Sequence, residues 1–146
     1  MLLADSNIWM ALAIPGHVFH SAVEEWLLRG RAGDPVCFCR ATQQSFLRLL
    51  TTAATLARYG LPALSNSAAW SQYERMRADE RIGWLDEPDG LELHWKKCSG
   101  RSWASPKLWM DAYLAAFAIA GKYKFVTTDN AFKQYKGLDL LLLPNG

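Results

Sequence analysis

Long hydrophobic runs are missing from this sequence of 146 residues. The longest run, Ala112 to Ala120, falls well short of the roughly 20 apolar residues that a helix needs to cross a bilayer. The first residues also include no Lys or Arg, and the apolar stretch from Met1 is interrupted by an acid at Asp5. Both features are unlike a secretory signal peptide. We therefore expect a soluble protein with no membrane association that resides in the cytoplasm.

Cysteines are few, and a glycine-rich phosphate-binding motif is lacking. The three cysteines are an odd number, and Cys37 and Cys39 with only Cys98 elsewhere lack the second ligand pair of a structural zinc site. No G-x-G-x-x-G motif follows the first predicted strand, which argues against a dinucleotide-binding domain. We interpret the cysteines as buried thiols of a protein in a reducing compartment.

The composition is that of one globular domain. Hydrophobic residues make up 51% of the chain and charged residues 21%, so the whole of residues 1–146 is expected to share one core. The net charge is only +2, but residues 91–146 carry eight Lys or Arg against four acids. This part of the chain offers a favourable field to a polyanion, although a solvated helix face explains the same charges.

Strand-like and helix-like segments alternate along the chain. The patterns predict strands at 2–4, 36–39, 91–94, 124–128 and 138–143. They predict helices at 8–13, 17–29, from an N-cap at Thr42 to Leu50, from Ser65 or Ser67 to about Glu80, from Pro106 to Gly121, and at 130–135. Strands separated by helices pair in parallel through crossovers. We therefore expect an α/β fold with a mostly parallel central sheet sandwiched by helices.

Three aspartates are placed so that their carboxylates meet at one edge of this sheet. Asp5 and Asp129 each follow a predicted strand, and ligands of α/β sheets bind outside the carboxyl ends of the strands. Both residues also suit the simpler role of a helix cap. Asp111 lies on the apolar face of its helix, with Leu108 and Ala115 one turn away. A carboxylate there is costly unless it is paired, metal-bound or, at a boundary, turned towards water.

Converging carboxylates repel one another unless a cation lies between them. Oxygen ligands alone suit Mg²⁺ or Mn²⁺ better than zinc, and such sites serve phosphate chemistry, in which the metal activates water and stabilises the phosphoryl oxygens. The residues themselves therefore predict a Mg²⁺ or Mn²⁺ site in which Asp5, Asp111 and Asp129 share one pocket.

Four segments of the sequence form a set with a characteristic order and separation. They are Leu2 to Asn7, Cys39 to Thr51, Leu108 to Ala118 and Phe125 to Phe132. Together they resemble the signature blocks of PIN-domain proteins, and more closely those of the VapC-type toxins of bacterial toxin–antitoxin pairs. The resemblance covers essentially the whole chain. It implies a metal-dependent ribonuclease that leaves a 5′-phosphate and a 3′-hydroxyl, a cognate antitoxin that inhibits it, and a homodimer.

The resemblance also assigns roles to residues. It makes Asp5, Asp111 and Asp129 the catalytic and metal-binding acids. Gln43 stands where the family usually has Glu, and Ala131 stands where many relatives have a further Asp, so the site is less negative than usual. We expect Gln43 to point into the site. Residues expected to hydrogen-bond the acids, the metal waters or the scissile phosphate are Ser6, Asn7, Thr127 and Thr128.

Two other functions remain open at this point. The losses at Gln43 and Ala131 favour a degenerate PIN module that binds RNA or a protein partner without cleavage. A Mg²⁺-dependent phosphatase with Asp5 as nucleophile usually requires a second acid two residues later, where this chain has Asn7.

Overall fold

The computed structural model describes residues 1–144 and contains a five-stranded sheet in which neighbouring strands all pair in parallel. The strands are β1 Leu2–Ala4, β2 Val36–Phe38, β3 Ile82–Trp84, β4 Lys124–Thr127 and β5 Leu140–Leu142. Their order across the sheet is β3-β2-β1-β4-β5, so the chain moves outwards from β1 first to one side and then to the other. The prediction of a mostly parallel sheet is confirmed.

Seven α-helices and one 3₁₀ helix connect the strands of the described chain. The α-helices are α1 Ser6–Ala13, α2 His20–Leu28, α3 Arg40–Leu50, α4 Ala53–Ala57, α5 Asn66–Arg77, α6 Leu91–Ser99 and α7 Leu108–Gly121, and the 3₁₀ helix spans Asn130–Gln134. Buried residues of α1 to α5 form a core on one face of the sheet, and those of α6 and α7 form a second core on the other. The sheet is therefore sandwiched by helices, as the sequence predicts.

The strands supply both cores because their side chains alternate between the two faces. Ala4 and Phe38 point into the core under α1 to α5, whereas Leu3 and Cys37 point into the core under α6 and α7. The indole of Trp9 stacks on the ring of Phe38, with 3.8 Å between centroids. Alternation explains why strands of only three or four residues are apolar on both sides, as parallel sheets require.

One predicted strand is wrong, because residues 91–94 belong to α6. The alternation of Leu91 and Leu93 imitates a strand, but Leu91, Trp95 and Cys98 recur at helical spacing and pack into the core beside α7. Gly90 precedes the helix with a φ of 77°, a conformation that favours glycine. The segment is therefore a helix that packs along α7.

Strand β3 and helix α4 have no counterpart among the predicted elements. Strand β3 contains Gly83, and glycine disfavours strands. Glycine suits this position because any larger residue would be in tight contact: a Cβ here would lie 3.0 Å from the Sγ of Cys37, on the neighbouring strand. Elsewhere the predicted ends differ from the observed ones by no more than three residues.

Thr42 is not the N-cap of its helix, as predicted, because α3 begins at Arg40 with Cys39 at the N-cap. The hydroxyl of Thr42 instead accepts a hydrogen bond from the Cys39 amide at 2.9 Å. Thr42 therefore stabilises the start of the helix from its third residue, by accepting a hydrogen bond from the backbone of the N-cap residue.

In residues 1–144, no helix has the length and apolarity needed to cross a membrane.

Candidate active site

Asp5 lies at the carboxyl end of β1, where the chain turns into α1. Its amide donates to the carbonyl of Val126 at 2.9 Å, which ties it to β4, and its side chain caps α1 by accepting from the Ser6 amide at 2.7 Å. The second carboxylate oxygen accepts from the Thr127 hydroxyl at 2.8 Å and from the Asn7 amide at 3.2 Å. The Ser6 hydroxyl, at 3.5 Å from the first oxygen, is a fourth donor. Four polar groups thus hold one carboxylate that is only 8% exposed, so its orientation is determined before any ligand binds.

The predicted supporting residues lie around this carboxylate. Ser6, Asn7 and Thr127 donate to Asp5 directly, and the Asn7 amide nitrogen also donates to the Thr127 hydroxyl at 3.1 Å. Thr128 takes part through its backbone, because its amide donates to the Asn7 side-chain oxygen at 3.3 Å. The end of β1 and the end of β4 are therefore joined by side chains as well as by the sheet.

Asp111 and Asp5 line the same cleft, which has a volume of about 400 Å³. Asp111 is in the first turn of α7 and is partly buried. Burial raises the pKa of Asp111 above its usual value, and the negative charge of Asp129 raises it further. The partly apolar surroundings predicted from the helical face are present, and they disfavour the charged form of this carboxylate.

Asp129 follows β4 and is the most exposed of the three predicted acids. One of its oxygens accepts from the Ala131 amide at 2.9 Å and so caps the 3₁₀ helix, while its own amide donates to the Thr127 hydroxyl at 3.0 Å. It is not among the residues that line the cleft. Its charge nevertheless raises the pKa of both Asp5 and Asp111, so the three carboxylates repel one another.

The cleft wall opposite these acids is formed by α3, but Gln43 is not part of it. Gln43 is 6% exposed and accepts from the guanidinium of Arg40 at 2.6 Å. The cleft-lining residues of α3 are Ala41, Gln44, Ser45 and Arg48. These positions recur every three or four residues and so form one helical stripe, adjacent to the stripe that packs into the core. That spacing is visible in the sequence, but so is the spacing of the stripe that contains Gln43, and only the packing of the core distinguishes the two.

Electrostatics at the site favour a bound cation. Burial raises the pKa of Asp5 to about 6, the hydrogen bonds from Thr127 and Ser6 oppose this rise, and the charges of Asp111 and Asp129 add to it. Within residues 1–144, no three His, Cys, Asp or Glu side chains stand close enough, as they are placed, to bind one metal ion together. The donors of Asp5, Asp111 and Asp129 are all carboxylate oxygens. The residues therefore fit Mg²⁺ or Mn²⁺.

Tyr135 provides a second observation on whether the site suits a hydrated cation. Its hydroxyl is buried and has no hydrogen-bond partner in the described part of the chain. Burial raises the pKa of Tyr135 to about 12, and the charges of Asp111 and Asp129 contribute to the rise. Buried hydroxyls are nearly always hydrogen-bonded in complete sites. Water bound at a site among these carboxylates would give this hydroxyl a hydrogen-bond partner that the described residues do not.

The parallel sheet, its order and the acids at its carboxyl edge define the class of protein. Residues 2–138 match the family model described as PIN domain, and the chain belongs to this family. It is 53% identical to Ribonuclease VapC41 of Mycobacterium tuberculosis over 144 residues, which are 98% of this chain and 99% of that protein. The resemblance to VapC-type toxins is therefore confirmed.

Solved structures agree with the fold. VapBC2 from Rickettsia felis, bound to a DNA fragment from its promoter, matches with a TM-score of 0.66 and 12% identity over 97% of each chain. VapC20 of Mycobacterium tuberculosis, a toxin that cleaves the sarcin-ricin loop, matches with a TM-score of 0.62 and 14% identity over 95% of this chain and 98% of that chain. At such low identity these structures establish the common fold and no more.

Proposed function

We propose that this protein is a Mg²⁺- or Mn²⁺-dependent endoribonuclease toxin that a cognate antitoxin inhibits. One observation carries the proposal: buried Asp5 and partly buried Asp111 share a cleft within the field of Asp129, in a chain 53% identical to a protein named a ribonuclease. Carboxylates that raise one another's pKa are costly to the fold, and such a cost is typical of catalytic sites.

The chain's own residues prepare the site in three ways. Asp5, Asp111 and Asp129 would hold the cation, which when bound activates water and neutralises charge on the phosphoryl oxygens. Thr127 and Asn7 keep the Asp5 carboxylate in one orientation by donating to it. The burial of Asp5, which is 8% exposed, places its carboxylate in a medium of low dielectric constant, which strengthens its interaction with a cation.

Three further features belong to the same proposal. Antitoxin binding is supported by the VapBC structures among the neighbours. A homodimer is supported by large apolar side chains that the described chain leaves exposed, such as Leu28 and Leu93. An RNA substrate and an antitoxin both imply a cytoplasmic location.

The test is cleavage of labelled RNA by the purified protein. We expect hydrolysis in Mg²⁺ or Mn²⁺, products with a 5′-phosphate and a 3′-hydroxyl, and no cleavage in EDTA. Asp5→Asn and Asp111→Asn should abolish cleavage. Asp139→Asn is the matched control, because Asp139 is an exposed acid that pairs with Lys124 and does not line the cleft. Co-expression with the product of the adjacent reading frame should suppress the activity.

The alternative is a degenerate PIN module that binds RNA or a protein without cleavage. It is favoured by the cleft wall that α3 forms, because Gln44 and Ser45 carry no charge and α3 contributes no carboxylate to the cleft. Wild-type protein that binds RNA yet cleaves none, in either metal, would establish this alternative.

A further inference from the structure

A second hollow lies directly beside the acidic cleft. It has a volume of about 300 Å³ and lies between the end of α3 and the start of α5. Its lining residues are Leu47, Arg48, Thr51, Asn66, Ala69 and Trp70. Arg48 also lines the cleft that contains Asp5 and Asp111, so the two cavities share this residue.

The charge of this hollow is opposite to that of the cleft. No acid lines it, whereas Arg48 contributes a cation that makes no ion pair within residues 1–144. Asn66 is the first residue of α5, a helix of 12 residues with no acid in its first turn, so the positive end of its dipole faces the same region. A strand of nucleic acid that enters the acidic cleft has phosphates to place on either side of the scissile bond, and Arg48 offers one of them a partner.

Trp70 supplies a flat apolar face in the hollow. Its indole is 47% exposed, and its ring packs edge-on against the buried ring of Tyr73, with 5.9 Å between centroids and 81° between planes. Tyr73 thus holds the indole from one side and leaves much of it open to water. A ring held in this way is suited to stacking with a base, and the Asn66 amide beside it offers a donor and an acceptor.

We propose that this hollow, which we call the Trp70 subsite, binds one nucleotide next to the scissile bond of a single-stranded RNA. The base stacks on Trp70, and Arg48 binds the phosphate between this nucleotide and the acidic cleft. The inference rests on the proposed ribonuclease function and assigns to it a substrate-binding site apart from the carboxylates. A bound base there would fix the position of the strand relative to Asp5 and Asp111.

Binding is measured first, in EDTA, by the fluorescence anisotropy of a labelled six-nucleotide RNA. Trp70→Ala should weaken binding roughly 5- to 150-fold, the range for loss of one base stack, and Trp70→Phe should retain most of the affinity. Arg48→Gln should reduce the salt dependence of log K by about 0.7, the value for one phosphate contact on a single strand. Trp103→Ala and Arg58→Gln are matched controls that line neither cavity, and they should leave binding unchanged.

An abasic residue scanned along the RNA tests the stacking itself. In the wild-type protein, an abasic residue at one position beside the cut bond should weaken RNA binding by the same factor as Trp70→Ala does. In the Trp70→Ala protein, the abasic residue at that position should not weaken binding any further. Equal losses in both proteins, or loss of a dimer in Trp70→Ala seen by sedimentation, would overturn the subsite. If the protein cleaves RNA but Trp70→Ala changes neither binding nor cleavage, the subsite alone is refuted. If Trp70→Ala weakens RNA binding but the wild-type protein cleaves no RNA, the nuclease function alone is refuted. Wild type that binds no RNA refutes both.

Discussion

Replacing Asp5 with Asn should make the metal-free protein more stable at neutral pH. Asp5 is 8% exposed and accepts from Ser6, Asn7 and Thr127, yet burial outweighs these bonds and raises the pKa of Asp5 to about 6. An amide at this position carries no charge to bury. It keeps one acceptor oxygen, and its NH₂ group can donate to the Thr127 hydroxyl.

The size of the effect follows from the pKa of Asp5. A rise from 3.8 to about 6 means that the folded state keeps a proton that the unfolded state has released, so wild-type stability falls as pH rises through this window. Above pH 6 the loss is complete and amounts to roughly 3 kcal/mol. We expect Asp5→Asn to recover about 1–3 kcal/mol at pH 7.5, because some hydrogen-bond energy is lost. This advantage should shrink by about 2 kcal/mol at pH 4.5, where most folded wild type is protonated.

The assay is urea unfolding in EDTA, followed by tryptophan fluorescence, with Asp139→Asn as the control. Added Mn²⁺ should raise the stability of wild type and have much less effect on Asp5→Asn, because a ligand that binds only the folded state stabilises it. The reasoning is refuted if Asp5→Asn is less stable than wild type at pH 7.5, or if the difference between them does not change with pH.

Three other predictions follow from the same geometry. Gln44→Glu should tighten Mn²⁺ binding in calorimetry more than Gln43→Glu, because Gln44 lines the cleft and Gln43 is buried against Arg40; equal changes would contradict this placement. Thr127→Val should raise the pKa of Asp5 further and lower the rate of RNA cleavage, because Asp5 loses a donor, whereas Thr127→Ser should keep the wild-type rate; a Val variant with wild-type kinetics would argue against a positioning role. Sedimentation at micromolar concentration should detect a homodimer, and a strict monomer would contradict the dimer without affecting the nuclease proposal.

The sequence predicts the sheet well because the strands that build it are short, apolar and separated by helical patterns. Strands β1 and β4 are found within one residue of their predicted bounds, and each is followed by a predicted aspartate. Strand β3 is not predicted because its three residues, with Gly83 in the middle, are too few to show a period of two. The strand predicted at Leu91 fails because four residues cannot distinguish a period of two from one of 3.6.

The site was less accessible to sequence reasoning than the fold. Asp5 and Asp129 could be placed because strand ends in a parallel sheet share an edge. The wall formed by α3 could not be placed as well, because the buried face and the cleft face of a helix differ by about 100°, the rotation of one residue. Gln43 and Gln44 are neighbours in sequence, and only the packing of Phe46 and Leu50 in the core decides which of them faces the acids. The hollow beside Trp70 gives no signal in sequence either, since Leu47 and Arg48 of α3 help to line it.

The most direct test of the central claim is a crystal structure of the protein grown in Mn²⁺, with anomalous diffraction measured near the manganese absorption edge. We expect an anomalous peak in the cleft, with carboxylate oxygens of Asp5 and Asp111 as direct ligands and Asp129 turned towards the ion. A protein that cleaves RNA in the same Mn²⁺ buffer, yet shows its manganese peak away from these three aspartates, would contradict the account.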